Sequence, residues 1–212
     1  MEDWVIYSIG FVAQMLFSGR MILQWILSEK HQKILTPKLF WQLSLLASFL
    51  LFVYGWLRDD FAIILGQVLT YFIYIRNMQL QGEWIRFPKP FRIFLWFFPL
   101  LVVLYGYNNN AYDLNDFFKN DNIPLWLLLL GSIAQVVFMF RFIYQWIYSE
   151  RRKKSTLPKG FWILSLTGGL LILTYAILRK DPVLLVGHLA GTFIYTRNLF
   201  ILKKEHAQRA EK

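Results

Sequence analysis

Cysteine is missing from this sequence. No disulfide framework, thiolate nucleophile or zinc-cysteine site can form without it, which removes several enzyme classes at once. Metal-ligand clusters and nucleophile motifs are not visible either, so neither a metal nor a cofactor is expected and an enzyme is the lowest-ranked reading. There is no basic n-region: the chain opens Met1-Glu2-Asp3-Trp4, and the apolar run from Trp4 to about Leu27 is too long for a signal-peptide core, so it reads as a retained helix. Acidic residues are few, 13 against 23 lysines and arginines, for a net charge of +10. The basic residues sit in short loops between apolar runs and form no continuous face, which argues against a nucleic-acid partner and for membrane topology.

What the chain has in excess is apolar surface. Of its 212 residues, 57% are hydrophobic and 19% aromatic, more than a soluble domain of this size can hide. Lipid is the expected solvent. Runs approaching the roughly 20 residues that cross a bilayer lie at Trp4 to Leu27, Leu39 to Leu57, Phe61 to Leu80, Ile123 to Tyr148, Gly160 to Leu178 and Pro182 to Leu202. A further run, Phe91 to Tyr107, is short and interrupted by Pro99. If it crosses too, the loops carrying Lys30, Lys33 and Lys38, Arg86, Lys89 and Arg92, and Arg151 to Lys154 all share the side of Lys203 and Lys204. By the insertion rule that side is cytoplasmic. The acidic N-terminus and the loop with Asp113, Asp116 and Asp121 then lie outside. Were the run not to cross, the Arg151 to Lys154 cluster would face outward. The expectation is therefore an all-α integral membrane protein of seven transmembrane helices, N-terminus out and C-terminus in.

An internal repeat organises these runs. A shift of about 121 residues aligns Gly10 to Asn77 with Gly131 to Asn198 without a gap, and about 30 of the roughly 68 pairs are identical. Three helices per copy is an odd number, so one linking helix makes the copies parallel. The plan is 3+1+3: a first repeat over 1–80, a linker with the fourth helix and an outer loop over 81–122, a second repeat over 123–203 and a basic tail over 204–212. This layout is similar to that of the SWEET sugar transporters.

Each repeat owns a polar stripe. At about 100° per residue, Gln14, Arg20, Gln24 and Ser28 fall within one arc of the first helix, as do Gln135, Arg141, Gln145 and Ser149 on its counterpart. Polar groups in hydrocarbon face the bundle interior or a wet cavity, so the stripes are candidate binding surfaces. Interhelical hydrogen bonding, with Arg20 snorkelling to the interface, is the alternative. On the third helices Gln67, Thr70, Tyr74 and Asn77 share a face, matched by His188, Gly191, Tyr195 and Asn198. Replacement of Gln67 by His188 and of Thr70 by Gly191 breaks the symmetry, as one asymmetric ligand would require; His188 is a candidate ligand-binding or proton-coupled group, or a lone core histidine. Glu29 with Arg76, and Glu150 with Arg197, are expected to pair or to hold an anionic headgroup. Asp60 and Asp181 are expected to cap the following helices, and Trp25, Trp41, Trp146 and Trp162 to anchor at the cytoplasmic boundary.

Gln24-Trp25-x-x-Ser28-Glu29, Pro37, Phe40-Trp41, Ser44, Gly66-Gln67 and Phe72-Ile73-Tyr74-x-Arg76-Asn77 resemble the lipid-A biosynthesis N-terminal domain family, and the second copy resembles it as well. Together the copies cover about two-thirds of the chain. The resemblance implies a distant relation to SWEET and PQ-loop proteins and a link to lipid-A-disaccharide synthase, whose glycosyltransferase domain some members precede. Only about ten residues follow Leu202, so disaccharide synthase activity itself is not expected. Nor is PQ-loop gating, since Pro37 and Pro158 lie in loops with no Pro-Gln pair inside the first or fifth helix. The expected role is binding or translocation of a lipid-linked or sugar-containing envelope precursor between the repeats, with membrane lipids, including an anionic glycolipid, as partners. Scaffolding of an envelope glycosyltransferase is the alternative. A headgroup-modifying enzyme using Glu29 or Glu150 ranks below both.

Overall fold

The computed structural model describes residues 3–57, 61–108, 124–180 and 182–210. Among these, every regular element is helical: α1 (Asp3–His31), α2 (Lys38–Leu57), α3 (Phe61–Leu80), a short 3-10 turn (Trp84–Arg86), α4 (Lys89–Asn108), α5 (Leu125–Arg152), α6 (Lys159–Arg179) and α7 (Pro182–Ala210). Among the described residues four segments are long and apolar enough to cross a membrane: Trp4–His31, Lys38–Leu57, Leu129–Arg152 and Lys159–Leu178. The chain is thus a helical, membrane-associated protein. Pro99 does not interrupt α4, which is one continuous helix; apolar surroundings tolerate the lost backbone donor when neighbours restore the freed carbonyl. The acidic loop with Asp113, Asp116 and Asp121, and the proposed caps Asp60 and Asp181, lie outside the described residues.

The chain forms two compact units. One contains 1–20 and 38–120, with α2 packed on α3 and α4. Aromatic side chains mediate this packing: Phe98 of α4 lies 4.4 Å from Phe49 and 5.8 Å from Phe52, and Trp96 lies 5.3 Å from Phe72. The other contains 21–37 and 121–212, with α6 packed against both α5 and α7. Gly10 and Gly131 occupy equivalent places, and a Cβ there would lie 2.9 Å from the Tyr54 ring and 2.7 Å from the Tyr175 ring, respectively. In each copy a tyrosine of the second helix packs on bare backbone of the first.

Gln32 and Lys153 are equivalent positions just past the first helix of each copy, and both adopt left-handed backbone at φ 50°. Lys153 caps α5, its N–H donating to the Glu150 carbonyl at 3.2 Å, followed by Lys154 N–H to Ser149 O at 3.1 Å. Side chains strain this conformation, glycine does not. Lys153→Gly should therefore raise stability by about 1 kcal/mol, because the exposed Lys153–Glu150 pair it removes contributes little; thermal unfolding in detergent measures it.

Two expectations fail on burial. Trp41 and Trp162 are fully buried rather than interfacial, because Phe40 and Phe161 pack edge-on against them at 4.8 and 5.0 Å and Tyr74 and Tyr195 cover them at 6.0 and 6.4 Å. Arg20 does not snorkel; it is 4% exposed and turned toward α2.

Candidate arginine site

Each repeat buries an arginine in a box of aromatic rings. The Arg20 guanidinium lies 4.6 Å from the Phe17 ring, 5.0 Å from Phe40 and 5.3 Å from Tyr74. In the second copy Arg141 lies 3.5 Å from Phe138, 5.8 Å from Phe161 and 5.8 Å from Tyr195, with Phe142 added at 4.7 Å. The geometry follows from helix periodicity: Phe17 and Phe138 precede their arginines by three residues and share their face. Ring faces compensate a desolvated guanidinium by about 0.5–2 kcal/mol each. They supply no acceptor for its five N–H donors.

The two arginines find different acceptors. Arg20 donates to the Ser44 hydroxyl, which itself donates to the Phe40 carbonyl. The equivalent Ser165 also donates to its helix, at 2.6 Å to Phe161 O, but Arg141 turns to the Tyr195 hydroxyl at 3.1 Å. Arg141 is 7% exposed, its Nε has no hydrogen-bond partner, and among the described residues no acidic side chain pairs with it.

The asymmetry extends to the third helices. Ser48 donates to Gln67 Oε1 at 2.8 Å, and Thr70 donates to Gln67 O at 3.3 Å. In the second copy Ser48 is replaced by Gly169, Gln67 by His188 and Thr70 by Gly191. His188 accordingly has no counterpart of the Ser48 bond. Its ring stands edge-on to Phe138 at 5.2 Å, its carbonyl accepts from Thr192 at 2.7 Å, and its Nδ1 is buried without a partner. Phe138 thus separates two unsatisfied polar groups, Arg141 Nε and His188 Nδ1. The first copy pairs Gln67 with Ser48, whereas the second leaves His188 Nδ1 over.

The remaining stripe residues tie the helices to their loops. Gln24 Nε2 donates to Ser28 Oγ at 2.8 Å, Leu35 O at 3.3 Å and Asn198 Oδ1 at 3.0 Å, while Ser28 Oγ accepts from Leu35 N at 3.0 Å. The same clamp recurs: Gln145 Nε2 donates to Ser149 Oγ at 2.8 Å and Thr156 O at 3.0 Å, with Thr156 N donating to Ser149 Oγ at 3.1 Å. Asn77 and Asn198 each return a bond to the carbonyl four residues earlier, at 2.9 Å. Gln14 and Gln135 stand exposed, apart from these buried groups.

The ion pairing expected at the helix ends is exchanged. Arg197 takes Glu29, not Glu150, in a two-pronged pair at 2.7 and 2.6 Å, because residues 21–37 belong to the same compact unit as α7. Glu150 meets Lys153 at 2.5 Å, and Arg76 donates to Gln79 at 3.0 Å. Sequence reasoning missed the boxes themselves, although a phenylalanine three residues before each arginine was the available signal.

These paired boxes fall inside two matches to one family, the Lipid A Biosynthesis N-terminal domain, over residues 9–79 and 130–200. The chain belongs to this family. It carries the domain in two tandem copies. It is also similar to the lipid-A-disaccharide synthases of Chlamydia pneumoniae, 30% identical over 209 residues, and Chlamydia felis, 29% identical over 210. Each alignment covers 95% of this chain and 34% of the relative. The chain therefore spans about a third of the length of the curated relatives it matches. No solved structure matches it. Membership relates the chain to lipid A biosynthesis and assigns no role to Arg141 or His188.

Proposed function

We propose that the protein is a multi-pass component of the bacterial inner membrane that binds an anionic lipid-linked or sugar-containing precursor of lipid A-type glycolipids and presents it or moves it across the bilayer. Seven helices cross, as parallel three-helix repeats over 1–80 and 123–203 joined by α4, with the N-terminus outside and the C-terminus cytoplasmic. The observation that carries this reading is Arg141: a buried cation with an unpartnered Nε in a domain related to lipid A synthesis. A charge at the centre of a membrane helix costs about 2.5–3.5 kcal/mol even on insertion scales, and such residues mark substrate paths. An anionic headgroup would supply the missing acceptor, with His188 as a second contact.

Proteoliposomes of the purified protein, loaded with a fluorescent lipid A precursor, test this by binding and by appearance of the label in the opposite leaflet. Neither binding nor movement would overturn it. A second reading, recruitment of an envelope glycosyltransferase, draws on the proportions of the relatives, in which the matching third is fused to a larger remainder. Affinity purification from native membranes separates the two, since a scaffold retains an enzyme partner.

A further inference from the structure

A second asymmetry lies at the basic end of the repeats, away from Arg141. In the first copy Lys38 opens α2 and its Nζ lies 2.5 Å from Glu83, a carboxylate only 3% exposed that also meets Arg86 at 3.3 Å. The repeat register places Lys159 where Lys38 stands and Lys204 where Glu83 stands. The neutralising carboxylate has become a cation. Lys204 turns aside, donating to Gln32 Oε1 at 3.0 Å, and among the described residues no acidic side chain pairs with Lys159. The neighbouring Glu205 accepts from the Ile34 N–H at 3.4 Å.

Lys159 instead lines an open groove of about 430 Å³ beside α7, together with Lys203, His206, Leu199, Phe200 and Leu202. Lys203 and His206 are three residues apart and share a helix face, and Phe200 lies one turn before Lys203 on that face. Phe200 is 60% exposed. Lysines and apolar side chains lining one groove are complementary to a phosphate that carries hydrocarbon, and not to a free anion or a strongly hydrated polyanion.

We infer that this groove seats an anionic membrane phospholipid, its phosphate against Lys159 and Lys203 and its first methylenes along Leu199 and Phe200. The site exists only in the second copy, because Glu83 occupies its counterpart in the first. It is independent of the Arg141 site.

Native mass spectrometry of the full chain, exposed to equimolar dioleoyl-phosphatidylglycerol and dioleoyl-phosphatidylcholine, tests it. The wild-type protein should retain the anionic lipid over the zwitterionic one by about five-fold or more. Lys204→Glu, which restores the first copy's carboxylate, and the double variant Lys159→Gln/Lys203→Gln should bring retention near parity. Lys33→Glu, with the same charge change as Lys204→Glu, should keep the preference. Thermal unfolding and monodispersity verify each fold, and the charge-neutral Gln variants stand if Lys204→Glu does not fold. Equal retention of the two lipids by the wild type, survival of the preference in the Gln double variant, or its equal loss in Lys33→Glu overturns the inference.

Discussion

Arg141→Gln should weaken binding of a lipid-linked phosphate by about 30-fold or more while changing stability by no more than about 1 kcal/mol. Removing one member of a buried charge pair leaves the other charge unpaired, at about 2–5 kcal/mol, and each 1.4 kcal/mol is a factor of ten in affinity. Stability responds differently because the two contributions of this cation oppose each other: its desolvation is costly, and the rings around it recover a similar amount. Glutamine keeps an amide donor in reach of the Tyr195 hydroxyl, which accepts from Arg141 at 3.1 Å. Arg20→Gln should lower the same binding by less than about three-fold, since in the first copy Ser48 and Gln67 bond to each other where the second leaves His188 Nδ1 open to a ligand. The pair Gly169→Ser/His188→Gln rebuilds the Ser48–Gln67 hydrogen bond in the second copy and should also weaken binding. Titration of the nanodisc-embedded protein with a fluorescent lipid phosphate, alongside thermal unfolding, measures all three. A stability loss of several kcal/mol in Arg141→Gln with unchanged binding would make Arg141 a structural residue.

The duplication and the helical, apolar character were legible because they depend on residue type and spacing alone. Identity across the 121-residue shift also located the polar stripes and both symmetry breaks. What periodicity does not contain is the partner of each face. Gln14 lies on the same arc as Gln24, yet one is exposed and the other fully buried. Glu29 pairs with Arg197 because the last turns of α1 belong to the unit of α7, a fact of chain path that no local pattern encodes. Trp41 and Trp162 occupy positions where a belt is usual, but ring packing with Phe40, Tyr74, Phe161 and Tyr195 decides their burial. The difference between Gln67 and His188 was visible in sequence. Its consequence was not, since it depends on Ser48 becoming Gly169 across the helix interface.

Gly168→Ala should destabilise the protein by about 2 kcal/mol or more, although on helix propensity alone the change would stabilise it by about 1 kcal/mol. The sign is set by what a Cβ meets. At Gly168 it would lie 2.8 Å from both the Cα and the N of Phe138, which are backbone atoms that no rotamer change can move. Carbon atoms pack at about 3.5–4.0 Å, so α5 and α6 must part by roughly 1 Å, and contacts along the whole interface weaken together. The equivalent residue of the first copy, Ala47, is fully buried without such a conflict, so Ala47→Gly should cost only about 1 kcal/mol. Phe138 is also the ring between Arg141 and His188. Parting the helices therefore moves the arginine box as well as the interface, and Gly168→Ala should lower lipid-phosphate affinity along with the unfolding temperature. A Gly168→Ala protein as stable as the wild type would mean that α5 and α6 do not approach this closely at Phe138.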